Sequence, residues 1–135
     1  MKNLILSLAI ITTSIVSAQD VKLEVEISGF SNNKGSAMVG LYNTKETFLK
    51  KGIKSVKTIV KNKKTYAVFN IPKGEYAISM YHDENANGKL DANFVGMPKE
   101  GYGTSNDAKG FMGPPKYDDA KFILTSNKTI AIKIQ

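Results

Sequence analysis

The chain has no cysteine, no arginine and a single histidine among its 135 residues. Each absence removes a class of function. Without cysteine there is no disulfide framework, so the fold holds by packing alone or with the help of a bound ion. The same absence rules out lipid attachment through a cysteine. One histidine and no thiol leave zinc short of protein ligands. All 19 basic residues are lysine, whereas specific phosphate or base readout leans on the planar guanidinium fork. The lysines are also dispersed, apart from Lys61, Lys63 and Lys64. A solvated basic surface is therefore expected, and nucleic acid is not an expected partner.

Long apolar runs are also scarce. The single one covers Leu4 to Val16, follows Lys2 and ends in Val16-Ser17-Ala18 before Gln19. A positive start, a short apolar core and small residues at its end make a signal peptide over residues 1–18. The run is too short to span a bilayer comfortably. The expectation is an exported mature chain, residues 19–135, either periplasmic or secreted, with no membrane span. Losing Lys2 lowers the formal charge from +7 to +6. The mature length is one domain's worth.

What is present is alternation. Val21, Leu23, Val25 and Ile27 alternate with polar residues, as in a half-buried strand. Gly29 to Gly35 is a turn, and Ser36 to Tyr42 a second strand, read as the partner of the first in a hairpin. Asn43, Glu46, Phe48, Leu49 and Gly52 suggest one to two turns of helix over 43–51. Ile53–Lys61 and Thr65–Ile71 read as a second hairpin. A tight turn, Ile71-Pro72-Lys73-Gly74-Glu75-Tyr76, feeds a strand in which Tyr76, Ile78 and Met80 alternate. Lys121–Ser126 and Thr129–Gln135 close the chain. The expected fold is all-β: one seven-stranded antiparallel β-sandwich, prealbumin-like or immunoglobulin-like, with one short helix and one long ordered loop. The order Phe69, Ile71, Pro72, Gly74, Tyr76 and the alternation to Met80 resembles a turn of prealbumin-like sandwiches, carboxypeptidase regulatory domains and surface-protein B-type repeats.

The loop over 82–118 concentrates the chemistry. Asp83-x-Asn85-x-Asn87-Gly88-Lys89-Leu90-Asp91 follows the first nine positions of a calcium loop, with Lys89 offering its carbonyl and Leu90 anchoring the loop in the core. The twelfth position is Phe94 rather than a bidentate Glu, so the loop is not an EF-hand. Glu100, Asp107 or Asp118 would have to supply a remote ligand. The competing reading is an ion-free loop whose Asp and Asn side chains bond their own backbone. No other cofactor is indicated. His82 and Asp83 are adjacent on a strand, so their side chains point to opposite faces and make a poor catalytic dyad. A His82 bonded structurally to the long loop is the better fit. Phe94, Tyr102, Phe111 and Met112 read as anchors that pack the loop on itself.

The ordered series from His82-Asp83 through Asn93, Gly96-x-Pro98-x-Glu100-Gly101-Tyr102-Gly103, Ser105-Asn106, Gly113-Pro114-Pro115 and Asp119-Ala120-x-Phe122 resembles a secreted bacterial family called domain of unknown function 2141. The resemblance implies an exported single-domain protein and assigns no activity or site residue. Three functions stay open. The first is a module binding a small ligand or an envelope protein through loop 82–118, stabilised by calcium. The second is an envelope-associated structural module without a ligand, and the third a hydrolase-like enzyme using His82 with Asp83 or Glu100. An exposed aromatic groove favours the first, a self-packed loop the second, and a pocket with two carboxylates at His82 the third.

Overall fold

A computed structural model describes residues 18–135, so the signal peptide expected over 1–18 lies, but for Ala18, outside the described residues. Eight strands form two sheets: β1 (Val21–Ser28), β2 (Ser36–Tyr42), β3 (Lys54–Ile59), β4 (Lys64–Ile71), β5 (Gly74–Asp83), β6 (Tyr102–Thr104), β7 (Phe122–Leu124) and β8 (Lys128–Lys133). The first sheet has the order β4-β1-β8; the second runs β3-β2-β5-β6, with β7 also on β5. Inward residues of both sheets, among them Leu23, Val25, Ile27, Val39, Leu41, Phe69, Ile78, Met80 and Ile132, meet in one core. Their period of two is what the alternating sequence demands of strands with one buried face.

The all-β sandwich is as expected, but its pairing is not. β1 and β2 are not a hairpin: β1 pairs with β4 and, in parallel, with β8, while β2 pairs with β3 and β5. The chain crosses between sheets over 29–35, with Phe30 buried in the core. β3 and β4 likewise form no ladder: the bridge Lys61↔Lys64, where Asn62 and Lys63 take positive φ, and the Thr65 hydroxyl donating to the Ile59 carbonyl (2.9 Å) join them at the turn before they part to different sheets. Alternation specifies which face of a strand is buried and is silent about its partner. The eighth strand is the three-residue β6, inside the segment expected to be irregular.

No helix forms over 43–51. The segment makes successive turns, with Lys50 and Lys51 N–H both donating to the Thr47 carbonyl (3.0 and 2.9 Å). Leu49 at φ 60° interrupts any continuation. The helix is instead α1 (Tyr117–Ala120). It covers the outer face of the second sheet with Phe48 and Ala77, Phe48 standing edge-on to Tyr42 and tilted against Tyr117 at 5.3 and 5.6 Å.

β5 is the strand on which the rest is hung. Its one edge takes β2 along Ala77–Asp83, while the other is shared between β7 at Gly74–Tyr76 and β6 at Ser79–Tyr81. The tight turn before it forms as expected, closed by the Tyr76 hydroxyl donating to the Pro72 carbonyl (2.8 Å). Two glycines permit the packing at its far end. Gly35 sits at φ +63°, and a Cβ there would lie 1.9 Å from the Asp83 carbonyl oxygen. A Cβ on Gly103 would meet Ile132 at 2.7 Å, so β6 reaches the opposite sheet only because that position is bare.

Burial, with the charge of Glu75 adding to it, pushes the Tyr117 hydroxyl up to about 12. A raised pKa in the folded state means stability that is intact below the ordinary tyrosine range and lost as pH rises through the folded value. Melting temperature should therefore fall between about pH 10 and pH 12, and Tyr117→Phe should remove that part of the fall, as followed by thermal denaturation across this range.

Candidate binding loop

β5 ends in Tyr81-His82-Asp83, and both His82 and Asp83 are buried although their side chains leave opposite faces. His82 (1% exposed) stands edge-on to Phe30 at 4.9 Å. Its Nε2 lies 2.6 Å from the Lys34 carbonyl oxygen; a carbonyl only accepts, so Nε2 carries the proton. Nδ1 faces Glu84 Oε1 at 3.5 Å. Glu84 in turn accepts from Asn32 Nδ2 (3.0 Å) and Ser31 Oγ (3.3 Å). The Asn32 hydrogen bond first, then the charges of His82 and Lys34 and the Ser31 bond, hold the Glu84 carboxyl below its usual range. His82 thus fastens the 29–35 crossover to the start of the loop, and its backbone N–H donates to Gly101 at the end of the first excursion (2.8 Å). The expected structural role fits, except that the ring bonds the crossover while the backbone bonds the loop. The ring is closed off between Phe30, the Lys34 carbonyl and Glu84, and Asp83 works on the other face.

Asp83 closes the first turn of the loop. Its Oδ1 accepts from Asn87 N–H (3.0 Å) and its Oδ2 from Gly88 N–H (2.9 Å). Asn85 Oδ1 accepts from Asn87 N–H (3.2 Å), and Asn87 Oδ1 from Lys89 N–H (2.9 Å). The amide nitrogens of Asn85 and Asn87 both donate to the Asp91 carboxylate (2.5 and 2.8 Å). Ala86 and Gly88 take positive φ to allow the curl, and the Tyr81 hydroxyl holds the Gly88 carbonyl (2.8 Å). Four of the five expected calcium ligands, Asp83, Asn85, Asn87 and Asp91, are therefore gathered by their side chains. Lys89 is exposed and joins through its backbone. Among the described residues no three His, Cys, Asp or Glu side chains converge, so a cation here would draw on Asn oxygens and carbonyls beside Asp83 and Asp91. Leu90, expected in the core, is instead 38% exposed, because the curl turns it outward.

Of the three remote carboxylates considered, only Glu100 adjoins the loop. Its Oε1 accepts from Glu84 N–H and its Oε2 from Asp91 N–H, both at 3.0 Å, so one buried side chain ties the two ends of the turn. Asp107 accepts from Lys133 N–H (2.9 Å) and Asp118 pairs with Lys45 (3.0 Å), both elsewhere.

Beyond Asp91 the chain makes a short finger. Lys99 N–H donates to Asp91, Ala92 bridges Pro98, and Asn93 N–H donates to Met97. Asn93 Oδ1 accepts from both Val95 and Met97 N–H (3.1 and 2.9 Å). A second tip follows over Gly110–Gly113, and the chain returns through buried Pro115 and Tyr117. Between them Ser105, fully buried, accepts from Ile78 N–H (2.9 Å) and donates to the Ala120 carbonyl. The side chains expected to anchor the loop divide sharply: Tyr102 is half-buried in β6, but Phe94 (101% exposed), Phe111 (94%) and Met112 (93%) are open to solvent. The sequence carried a signal for this. An apolar pair between Asn93 and Gly96, and another between Gly110 and Gly113, is apolar residue at a turn tip. Glu100 as a double acceptor had no local signal, since its partners are backbone groups nine and sixteen residues away. Two open concavities, one of about 650 Å³ lined by Lys57, Ile59, Lys61, Lys64 and Tyr66, the other of about 280 Å³ near Asp107 and Ile134, lie away from His82.

Glu100→Ala leaves two part-buried N–H donors without partners, each worth roughly 1–3 kcal/mol. A loss of about 2–4 kcal/mol in denaturant unfolding is expected, with faster hydrogen exchange at the Glu84 and Asp91 amides. Asp118→Ala, which breaks only exposed pairs, should leave both unchanged.

Residues 25–132 match the model of a family described as uncharacterized protein conserved in bacteria (DUF2141). No curated protein and no solved structure matches the chain.

Proposed function

We propose, from the premise that the chain belongs to the family of uncharacterized proteins conserved in bacteria, DUF2141, that it is an exported, non-enzymatic module that binds a partner through loop 82–118. The observation that carries this reading is the pairing of a rigid loop base with uncovered apolar tips. Asp83, Glu100, Ser105 and Tyr117 fix the base inside the protein, while Phe94 and Phe111 stand free in water. Function concentrates on loops positioned by a rigid scaffold, and apolar side chains held in the open mark interaction sites. A purely structural loop would turn those side chains inward. Among the described residues no helix is long and apolar enough to cross a membrane. Export rests on the Lys2–Ala18 segment. Mass spectrometry of the chain recovered from a bacterial envelope fraction should give an N-terminus at Gln19; a cytoplasmic chain beginning at Met1 would contradict export.

Calcium is the proposed stabiliser of the loop's first turn. Asp83, Asn85, Asn87 and Asp91, with the Lys89 carbonyl, are the ligands, and Glu100 supports them from the other end. The Asn85 and Asn87 amide nitrogens now satisfy Asp91. A cation would displace those amide nitrogens and take the second lone pair of each Oδ1, whose first already accepts Asn87 or Lys89 N–H. Two carboxylates among mostly neutral oxygens suit the weak affinity of extracellular calcium modules, Kd about 0.1–1 mM. At ~10 mM calcium that linkage contributes about 1.5–3 kcal/mol, or roughly 5–10 °C in melting temperature for a domain of this size. Asp91→Ala should abolish the rise. An equal melting temperature in calcium and in chelator would remove calcium from the account and leave the binding loop standing.

A further inference from the structure

The two loop tips share a chemistry beyond being apolar. Phe94, Val95 and Met97 project from one, and Phe111 and Met112 from the other. Each of four lysines near them in the chain, Lys89, Lys99, Lys109 and Lys116, is exposed. None of these lysines forms an ion pair among the described residues. The carboxylates of the same segment are all occupied. Asp83, Asp91 and Glu100 accept from the loop itself, Glu84 from Asn32, Asp107 from Lys133, and Asp118 pairs with Lys45. The tips themselves, residues 92–99 and 108–117, carry Lys99, Lys109 and Lys116 and no carboxylate.

We infer that loop 82–118 docks on an anionic phospholipid bilayer, with Phe94 and Phe111 entering the headgroup–acyl boundary and the lysines facing the lipid phosphates. This rests on the reading of that loop as the binding element and names its partner. Five exposed apolar residues on two turn tips fall well short of the roughly 20–30 residues a side that a stable protein interface uses. A deformable bilayer accepts separate tips. Lysine near an anionic surface adds attraction without needing the bidentate geometry of arginine. The finger is ordered before binding: Asn93 Oδ1 holds Val95 and Met97 N–H, so insertion does not first have to fold it.

The sequence contains no tryptophan, so Phe94→Trp and Phe111→Trp each place a single reporter at one tip of the chain from Gln19. Mixed with phosphatidylglycerol vesicles, both should show a blue-shifted emission and sediment with the lipid, and both should bind phosphatidylcholine more weakly. Phe94→Ser with Phe111→Ser should lower partitioning by about tenfold per residue at unchanged melting temperature, since neither side chain packs on the fold. Lys→Gln at the four lysines should lower only the phosphatidylglycerol binding. Absence of blue shift and sedimentation in folded protein overturns the bilayer proposal. If a protein partner instead crosslinks at position 94, the bilayer falls and the binding loop stands. Sedimentation equal for the double Ser variant overturns both. Running each arm in calcium and in chelator separates a failure of the tips from a failure of the loop base.

Discussion

Two buried carboxylates hold four backbone donors, and the loop that distinguishes this sandwich depends on them. Asp83 takes Asn87 and Gly88 N–H, and Glu100 takes Glu84 and Asp91 N–H. A turn leaving a sheet end sheds its ladder partners, and each unpaired buried N–H costs as much as a lost hydrogen bond. A carboxylate that accepts two such donors makes charge-assisted bonds, about twice as strong as neutral ones. Asp83 can do this because β5 delivers it to the sheet end facing the loop, while His82, one residue earlier, faces the crossover. Adjacent positions on one strand thus fasten two different segments.

The consequence is an inversion within the loop. Polar groups fill its interior and apolar ones its tips, because the acids and amides are consumed in bracing the backbone. Ser105 extends the same device, joining the middle of β5 to the end of α1 through one hydroxyl. The apolar cluster of Phe48, Ala77, Tyr117 and Ala120 closes the return path. What remains outside is a finger at 92–98 and a tip at 110–113, each framed by turn residues. Calcium would reinforce the first of these braces without creating it. The proposed binding through the tips therefore does not stand or fall with the ion.

Strand faces were legible in the sequence, and strand partners were not. Val21 to Ile27 and Thr65 to Ile71 alternate as written, and the pattern correctly puts Leu23 and Phe69 inside. Nothing local says that β1 would pair with β4 and β8 rather than β2, since pairing is decided by which sheet each arm can reach across a turn. The 43–51 segment carried helix-start chemistry, but tertiary packing of Phe48 on Tyr117 and the positive φ of Leu49 override it. The curl of Asp83, Asn85, Asn87 and Asp91 was legible because it is made by side chains two to six residues apart. Leu90, which the pattern puts in the core, and Phe94, Phe111 and Met112, which it packs on the loop, are exposed for one reason: turn residues around them place them on the outside of a curl or at a tip.

The loop is held rigid where it is most exposed. Backbone ¹⁵N relaxation of the Asn93–Met97 amides, in free protein without lipid, tests it most directly. A braced finger predicts order parameters near the ~0.85 of rigid backbone, with Phe94 ring signals fully accessible to a soluble paramagnetic probe. Order parameters below about 0.6 would contradict it, since tips that move freely are not presented by the fold.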